Sequence, residues 1–134
     1  MQNSKKTKGR GSNFHHQWLL LFYGGVSMAE DIVVKLTAEF FKTLSHPVRI
    51  KILHCLEQGE LCVCDIIDEL DIEQSNLSQH LGVMKKQGII DSRKDGQKVI
   101  YRIAYQSVLD VVGAAEKTLS EQISNSQSIL KFLK

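Results

Sequence analysis

The sequence predicts a mainly α-helical fold with a small β-hairpin, arranged as a winged helix-turn-helix. Apolar residues recur at helical spacing over most of the chain, which indicates several amphipathic helices. Two short helical segments are separated by a break at residues 71–73, and an Asp95-Gly96 turn between two β-prone runs follows them. With 134 residues, 43% of them apolar, the chain can bury one core without disulfide bridges.

Four helical segments precede the hairpin. The apolar spacing indicates a first helix of about residues 30–43. A second helix begins at Pro47, because proline tolerates the first helical position and Ser45 or His46 can cap it. The two helices of the helix-turn-helix then cover about residues 61–70 and 74–87.

The hairpin and a long helix complete the fold. The β-prone runs cover residues 89–94 and 98–103, and an apolar helical stripe starts at Gln106, with an interruption near residues 125–126. The first and last long helices carry more apolar surface than one small domain needs to bury, so we predict a dimer through them. The alternative is that both helices only close the core of a monomer.

The charge pattern favours a nucleic-acid partner. Residues 52–84 contain no Lys or Arg, whereas residues 85–102 contain six basic residues and two acidic ones. The second helix of the helix-turn-helix offers small polar side chains that can hydrogen-bond base edges and phosphates. We therefore predict double-stranded operator DNA as partner, contacted by Gln74, Ser75, Asn76, Ser78, Gln79, His80, Lys85, Lys86, Arg93, Lys94 and Lys98. The alternative is a polar helix face that is merely solvated.

The beginning of the chain differs from the rest, with four of the 17 basic residues and no acidic one before Met28. We predict that residues 1–27 are an N-terminal extension, disordered or non-native, and that residues 28–134 form the DNA-binding and dimerisation domain. The apolar run at residues 18–26 mimics a signal peptide but is shorter than the ~20 residues of a membrane span. Three cysteines are too few for a secreted disulfide framework, so we expect a cytoplasmic protein without a membrane partner.

Four motifs occur in one order along the chain. They are FKTLSHPVRIKIL at residues 41–53, ELCVCD at 60–65, S-x-x-S-x-H-L at 75–81 and YRI at 101–103. Over about residues 30–120 the chain resembles the ArsR/SmtB family of winged-helix, metal-sensing transcriptional repressors. The resemblance implies a homodimer that leaves its operator when an inducer binds, and it does not extend to residues 1–27.

The ELCVCD motif places two thiols, Cys62 and Cys64, close together in the sequence. Successive residues of a helix turn by about 100°, so these side chains diverge by about 200° and would share an ion or a disulfide awkwardly in mid-helix. The first turn of a helix is adjustable, however, and the helix dipole favours the thiolate that binds soft metals. We predict a metal site of Cys62, Cys64, Cys55 and Asp65, the alternative for Cys55 being a small core residue.

We expect the inducer to be a thiophilic ion, As(III) or Sb(III) if three thiolates bind it, and Cd(II) or Pb(II) if there are four ligands. His15 and His16, in the N-terminal arm of the other subunit, are further candidate ligands. Ile67 stands where arsenic sensors of the resembled family often have a third cysteine, and the arm lacks the cysteines of its cadmium and lead sensors. The resembled family has a second metal site, built from Asp, His, His and Glu, that binds zinc or nickel. The corresponding residues of this chain are Tyr105, Ser107, Thr118 and Glu121, so we do not expect a zinc or nickel site there.

Other functions stay open at this point. The main alternative is a repressor of the same fold that responds to oxidants or reactive sulfur through its thiols. A ligand-independent repressor and a protein-interaction adaptor without DNA binding are further alternatives. An enzyme is not expected, because no nucleophile and base accompany a glycine loop that could stabilise an oxyanion.

Overall fold

The computed structural model describes residues 27–132, which form five helices and three strands. In chain order these are α1 (Ser27–Leu44), α2 (Pro47–Leu56), β1 (Leu61–Cys62), α3 (Val63–Leu70), α4 (Gln74–Lys86), β2 (Ile90–Asp95), β3 (Lys98–Ile103) and α5 (Gln106–Phe132). The predicted winged helix-turn-helix is confirmed, with α3 and α4 as the two helices and β2 and β3 as the wing. The N-terminal extension, with His15 and His16, lies outside the described residues.

The contacts of the chain separate residues 1–39 from residues 40–134, and the second unit contains the core. Helices α2, α3 and α4, the wing and the start of α5 all contribute to this core. Its buried members are Leu44, Ile52, Leu53, Leu56, Ile66, Leu77, Leu81, Met84, Ile89, Ile90, Val108 and Val112. Only one of them, Ile66, belongs to α3; Val63, Ile67 and Leu70 of the same helix are partly buried and pack against the core.

Local signals start and end the helices around the helix-turn-helix. His46 has an extended backbone and its Nδ1 accepts a hydrogen bond from the Val48 amide at 3.2 Å, so it caps α2 as predicted. Helix α3 ends at Leu70 and is capped by Asp71, which has a left-handed backbone (φ 49°) and whose amide donates to the Ile67 carbonyl at 2.9 Å.

The three strands form one antiparallel sheet in the order β1, β3, β2. Asp95 pairs with Lys98 across the hairpin, so the loop has two residues, the first of which is Gly96 with φ +62°. Glycine adopts this backbone conformation at low cost. Strand β1 was not predicted. Leu61 lies opposite Tyr101 and Cys62 opposite Ile100, so the wing is joined to the group of Cys62, Cys64 and Asp65, which we call the cysteine box.

Three helices differ from the predictions, and the first of them, α1, begins at Ser27 rather than at about residue 30. Helix α3 begins at Val63 rather than at residue 61, because the two preceding residues are extended and pair with β3. Helix α5 is continuous through residues 125–126, where Ser126 donates its hydroxyl to the Gln122 carbonyl at 2.9 Å. A serine bonded to its own helix in this way is tolerated there.

Both long helices expose large apolar side chains to solvent. They are Ile32, Val34, Leu36 and Phe41 on α1, and Leu119, Ile123, Leu130 and Phe132 on α5. Isolated exposed apolar residues are ordinary, but repeated ones along a helix indicate a binding face. Within residues 27–132, no helix combines the length and apolar character needed to cross a membrane.

Candidate nucleic-acid interface and cysteine box

Helix α4 divides into a buried apolar face and an exposed polar one. Leu77, Leu81 and Met84 are buried at helical spacing. The side chains predicted to contact DNA are exposed along the same helix, with one exception; they are Gln74, Ser75, Asn76, Ser78, Gln79, Lys85 and Lys86. The helix therefore presents hydrogen-bonding groups near its start and two cations at its end.

The exception is His80, for which the expectation of an exposed side chain is wrong. His80 is 9% exposed, because it falls on the same face of α4 as Leu77 and Leu81. Its ring lies 4.3 Å from the His46 ring, and its Nδ1 accepts a hydrogen bond from Nε of Arg49 at 3.2 Å. Burial, His46 and Arg49 lower the pKa of His80, which favours the neutral ring that can accept this bond.

Arg49 is a residue that the sequence reasoning missed. It is half-buried on α2, and Nη1 also donates to the Thr43 carbonyl at 2.9 Å. With Ser78, Gln79 and Lys86 it lines a cleft of about 430 Å³ along α4. The signal in the sequence was the position of Arg49 in the SHPVR segment, in the first turn of α2 and three residues after its cap His46. The structure thus adds a third cation to the two at the end of α4.

The wing supplies the other predicted cations. Arg93, Lys94 and Lys98 are all exposed. The Arg93 guanidinium contacts the Glu60 carboxylate at 2.8 Å and, through this hydrogen bond, lowers the pKa of Glu60. Lys85 donates to the Ser92 hydroxyl at 2.6 Å, which ties the end of α4 to the wing. The wing is therefore in contact with both α4 and the segment before the cysteine box.

Cys62 caps the N-terminus of α3. Its backbone is extended, its Sγ accepts a hydrogen bond from the Asp65 amide at 3.3 Å, and the Asp65 carboxylate accepts one from the Cys62 amide at 3.3 Å. This is a capping box in which a cysteine sulfur takes the usual place of a hydroxyl oxygen. Cys62 is 4% exposed, whereas Cys64 is exposed.

The sulfur atoms of Cys62 and Cys64 are joined by a disulfide bond, with 5.3 Å between the two Cα atoms. The expectation that these side chains diverge is therefore wrong. It assumed that both residues are helical, but Cys62 precedes the helix and its extended backbone turns the side chain towards Cys64. The same convergence would let two reduced thiolates face one ion.

Potential metal ligands in the described part of the chain come together at this box. The ligand atoms of Cys62, Cys64 and Asp65 all lie within 4.8 Å of one another. Two thiolates and one carboxylate suit a soft or borderline ion once the disulfide is reduced. Cys55 does not belong to this group: it is buried on α2.

The thiol of Cys55 is also held in its protonated form. Burial first, and then the charge and hydrogen bond of Glu69, raise its pKa to about 11. Since a metal ligand must be a thiolate, Cys55 is less ready to bind an ion than the residues of the box.

The raised pKa of Cys55 predicts an alkaline loss of stability. The folded state holds this proton more tightly than the unfolded state, so its contribution is complete below about pH 9 and disappears as the pH rises through about 11. Urea unfolding of the reduced protein between these pH values should show a smaller decline in a Cys55→Ala variant than in the wild type. Parallel declines in the two proteins would contradict the assignment.

A helix-turn-helix with an exposed polar helix and a basic hairpin defines a winged-helix DNA-binding regulator. The family model described as "Bacterial regulatory protein, arsR family" matches residues 46–92. The "Uncharacterized HTH-type transcriptional regulator Rv0081" of Mycobacterium tuberculosis is 38% identical over 108 residues, which cover 80% of this chain and 95% of the relative. The chain belongs to the ArsR family of transcriptional regulators, and not to a family of enzymes.

Two solved structures and one further regulator are also similar to this chain. The crystal structure of M. tuberculosis Rv0081 has a TM-score of 0.65 at 40% identity, covering 69% of this chain and 94% of that one. The "Cadmium resistance transcriptional regulatory protein CadC" of Listeria innocua is 45% identical over 74 residues, or 54% of this chain and 62% of the relative. A "homodimeric winged helix-turn-helix DNA-binding domain" from Mycobacterium bovis has a TM-score of 0.68 at 26% identity, covering 75% and 94% of the two chains.

Proposed function

We propose that the protein is a homodimeric, sequence-specific transcriptional repressor that leaves its operator DNA when a thiophilic ion binds the reduced cysteine box. The observation that carries this proposal is the convergence of Cys62, Cys64 and Asp65 at a strand that is paired with the wing. The similarity to CadC, which is named for cadmium resistance, supports a metal ion as the inducer.

DNA would be bound by α4 and the wing together. The exposed polar residues at the start of α4 would read base edges in the major groove. Arg49, Lys85 and Lys86, with the basic residues of the wing, would contact phosphates. His80 would act differently from the others, by fixing the position of the Arg49 guanidinium. Two such domains, joined through the exposed apolar faces of α1 and α5, would read two half-sites.

The ion is proposed from the donor atoms. The box as it stands offers two sulfurs and one oxygen, a mixed set that suits Cd(II) or Pb(II) with further ligands from outside the described residues. As(III) or Sb(III) would use a third thiolate, and Cys55 stays the proposed source. Because the Cys55 thiol is buried and protonated, its recruitment would require α2 and α3 to move.

The route from the ion to the DNA would run through the wing. Cys62 lies opposite Ile100 of β3, and Glu60 contacts Arg93 of β2 at 2.8 Å. An ion that pulls the two thiolates into a new geometry would displace β1, and with it the strands that carry the basic side chains. A coupling free energy of ~1 to 3 kcal/mol would weaken DNA binding about 5- to 150-fold.

The test is the anisotropy of labelled promoter DNA with the reduced protein, titrated without oxygen with Cd(II) and, separately, with arsenite. The wild type should release the DNA, and a Cys62→Ser, Cys64→Ser double variant should bind DNA like the wild type and ignore both ions. Serine keeps the cap of α3 intact, so the variant should remain folded. A double variant that still responds to an ion would contradict the proposed sensor.

A second candidate function is favoured by the disulfide between Cys62 and Cys64. A repressor of this fold could respond to oxidants, with reduced thiols and the disulfide as its two states. The discriminating experiment adds a thiol oxidant to the same DNA complex in the absence of metal. Release that a reductant reverses would favour the redox function, whereas release by ions alone would favour the metal sensor.

A further inference from the structure

A cleft of about 460 Å³ lies directly beside the cysteine box. Its walls come from three elements that are distant in the sequence: α3, the start of α4, and the wing. The residues that matter here are Cys62, Cys64, Gln74, Ser78, Lys98 and Tyr101. The cleft is large enough for a small organic molecule bound next to the two sulfurs, where a metal ion alone would leave most of it empty.

The two sulfurs in this cleft differ in accessibility. Cys64 is exposed, whereas Cys62 is 4% exposed and its Sγ accepts a hydrogen bond from the Asp65 amide. Exchange with a dissolved thiol or disulfide takes place at a sulfur that the reagent can reach. Because Cys62 is buried and its Cα lies 5.3 Å from that of Cys64, a dissolved reagent reaches Cys64 first, and Cys62 is placed to attack Cys64 from within the chain.

We propose that the cleft is a thiolation site, in which Cys64 forms a mixed disulfide with an anionic low-molecular-weight thiol and Cys62 then resolves it. In the first step the Cys64 thiolate attacks a small disulfide; a bond from Cys64 to one of its sulfurs forms, its own sulfur–sulfur bond breaks, and one thiolate leaves. In the second step the Cys62 thiolate attacks Cys64 and releases the other thiolate. The cysteine pair is oxidised by two electrons and the small disulfide is reduced by two.

The charge of the ligand follows from the cleft wall. Lys98 contributes an ammonium group, and Gln74 and Gln97 contribute amide donors, so carboxylates on the ligand would find partners. The Asp65 carboxylate is engaged by the Cys62 amide. A ligand in this cleft would also lie between α4 and the wing, beside Gln74, Ser78 and Lys98. That it would weaken DNA binding rests on the proposed function of these residues.

The test compares Cys62→Ser, which retains Cys64, with Cys64→Ser, which retains Cys62. Each reduced, full-length variant is mixed with oxidised glutathione, and the intact mass is followed with time. Cys62→Ser should gain one glutathionyl group at least ~10-fold faster than Cys64→Ser, and peptide mapping should place it on Cys64 rather than on the buried Cys55. The wild type should pass through the same adduct to the internal disulfide.

A charge variant tests the cleft itself. In the Cys62→Ser background, Lys98→Glu should slow the reaction with oxidised glutathione but leave the reaction with the neutral 2-hydroxyethyl disulfide unchanged. Lys117→Glu, an equal charge change on the exposed surface of α5, should alter neither rate. Equal rates for the two cysteine variants, or no effect of Lys98→Glu, would overturn the thiolation site.

The effect on DNA is measured separately, with the thiolated Cys62→Ser protein on labelled promoter DNA. Weaker binding than that of the unmodified variant is expected. Unchanged binding would overturn the regulatory part of this inference. Failure of the unmodified wild type to bind would instead overturn the proposed function, and the mass measurements would still decide whether the cleft is a thiolation site.

Discussion

A Leu119→Glu, Ile123→Glu double variant is expected to be monomeric and to bind operator DNA at least ~100-fold more weakly than the wild type. Leu119 and Ile123 are 56% and 59% exposed and lie one turn apart on α5. If they pair with a second copy, as we propose, two carboxylates there would be buried without partners. Sedimentation velocity gives the mass of the species, and anisotropy gives the DNA affinity.

The matched control places two glutamates on another face of the same helix. Ser120 and Ser124 are also exposed and one turn apart. The Ser120→Glu, Ser124→Glu variant therefore adds the same charge at nearly the same position along the helix. This control should remain dimeric and lose affinity only through its added negative charge. A monomeric control, or a dimeric Leu119→Glu, Ile123→Glu variant, would contradict the assignment of this face to the dimer.

An Ile66→Ala variant is expected to lose about 2–5 kcal/mol of unfolding free energy. Ile66 is fully buried and is the one fully buried core residue of α3, so its truncation leaves a cavity in the core. Because the free energy of unfolding of a small domain is itself only about 5–15 kcal/mol, a loss of this size would leave part of the protein unfolded at growth temperature. Urea unfolding of the reduced protein measures the loss directly.

Ile67→Ala is the appropriate comparison for this measurement. It deletes the same atoms from the next residue of α3, but Ile67 is only half-buried and lies at the edge of the core. The Ile67→Ala variant should lose clearly less free energy of unfolding than the Ile66→Ala variant. Equal losses at the two positions would show that the anchoring of α3 does not depend on Ile66 in the way the burial indicates.

Periodicity and turn chemistry were sufficient to predict most of the fold. The proline at the start of α2, the glycine in the hairpin loop and the apolar spacing of α4 act locally, so a sequence reveals them. Strand β1 could not be predicted, because two residues are too few for an alternating pattern and its pairing partner lies far along the chain. The sequence suggested an interruption near residues 125–126 because serine and asparagine favour turns, but in α5 the Ser126 and Ser128 hydroxyls bond within the helix and are tolerated there.

Of the four predicted metal ligands, the structure brings Cys62, Cys64 and Asp65 together but not Cys55, and the geometry of the three differs from the prediction. The cysteine box was expected to diverge, since helical rotation was applied to a residue that precedes the helix. A signal was present: Asp65, three residues after Cys62, is the spacing of a capping box. His80 was placed on the polar face from its chemistry, although its spacing from Leu77 and Met84 indicated burial. Cys62 precedes its helix and His80 lies on the buried face of its helix, and these positions determine where the two side chains point.

The pairing of β1 with β3 limits how the proposed sensor can be moved into another protein. A designer who moves only the helix with its two cysteines into another winged-helix scaffold leaves behind the strand that aligns Cys62. The portable module is discontinuous: it comprises residues 60–70 together with β3 and the Arg93 that contacts Glu60. Grafts that carry both pieces should inherit the response to the inducer, whereas helix-only grafts should inherit thiols without a response.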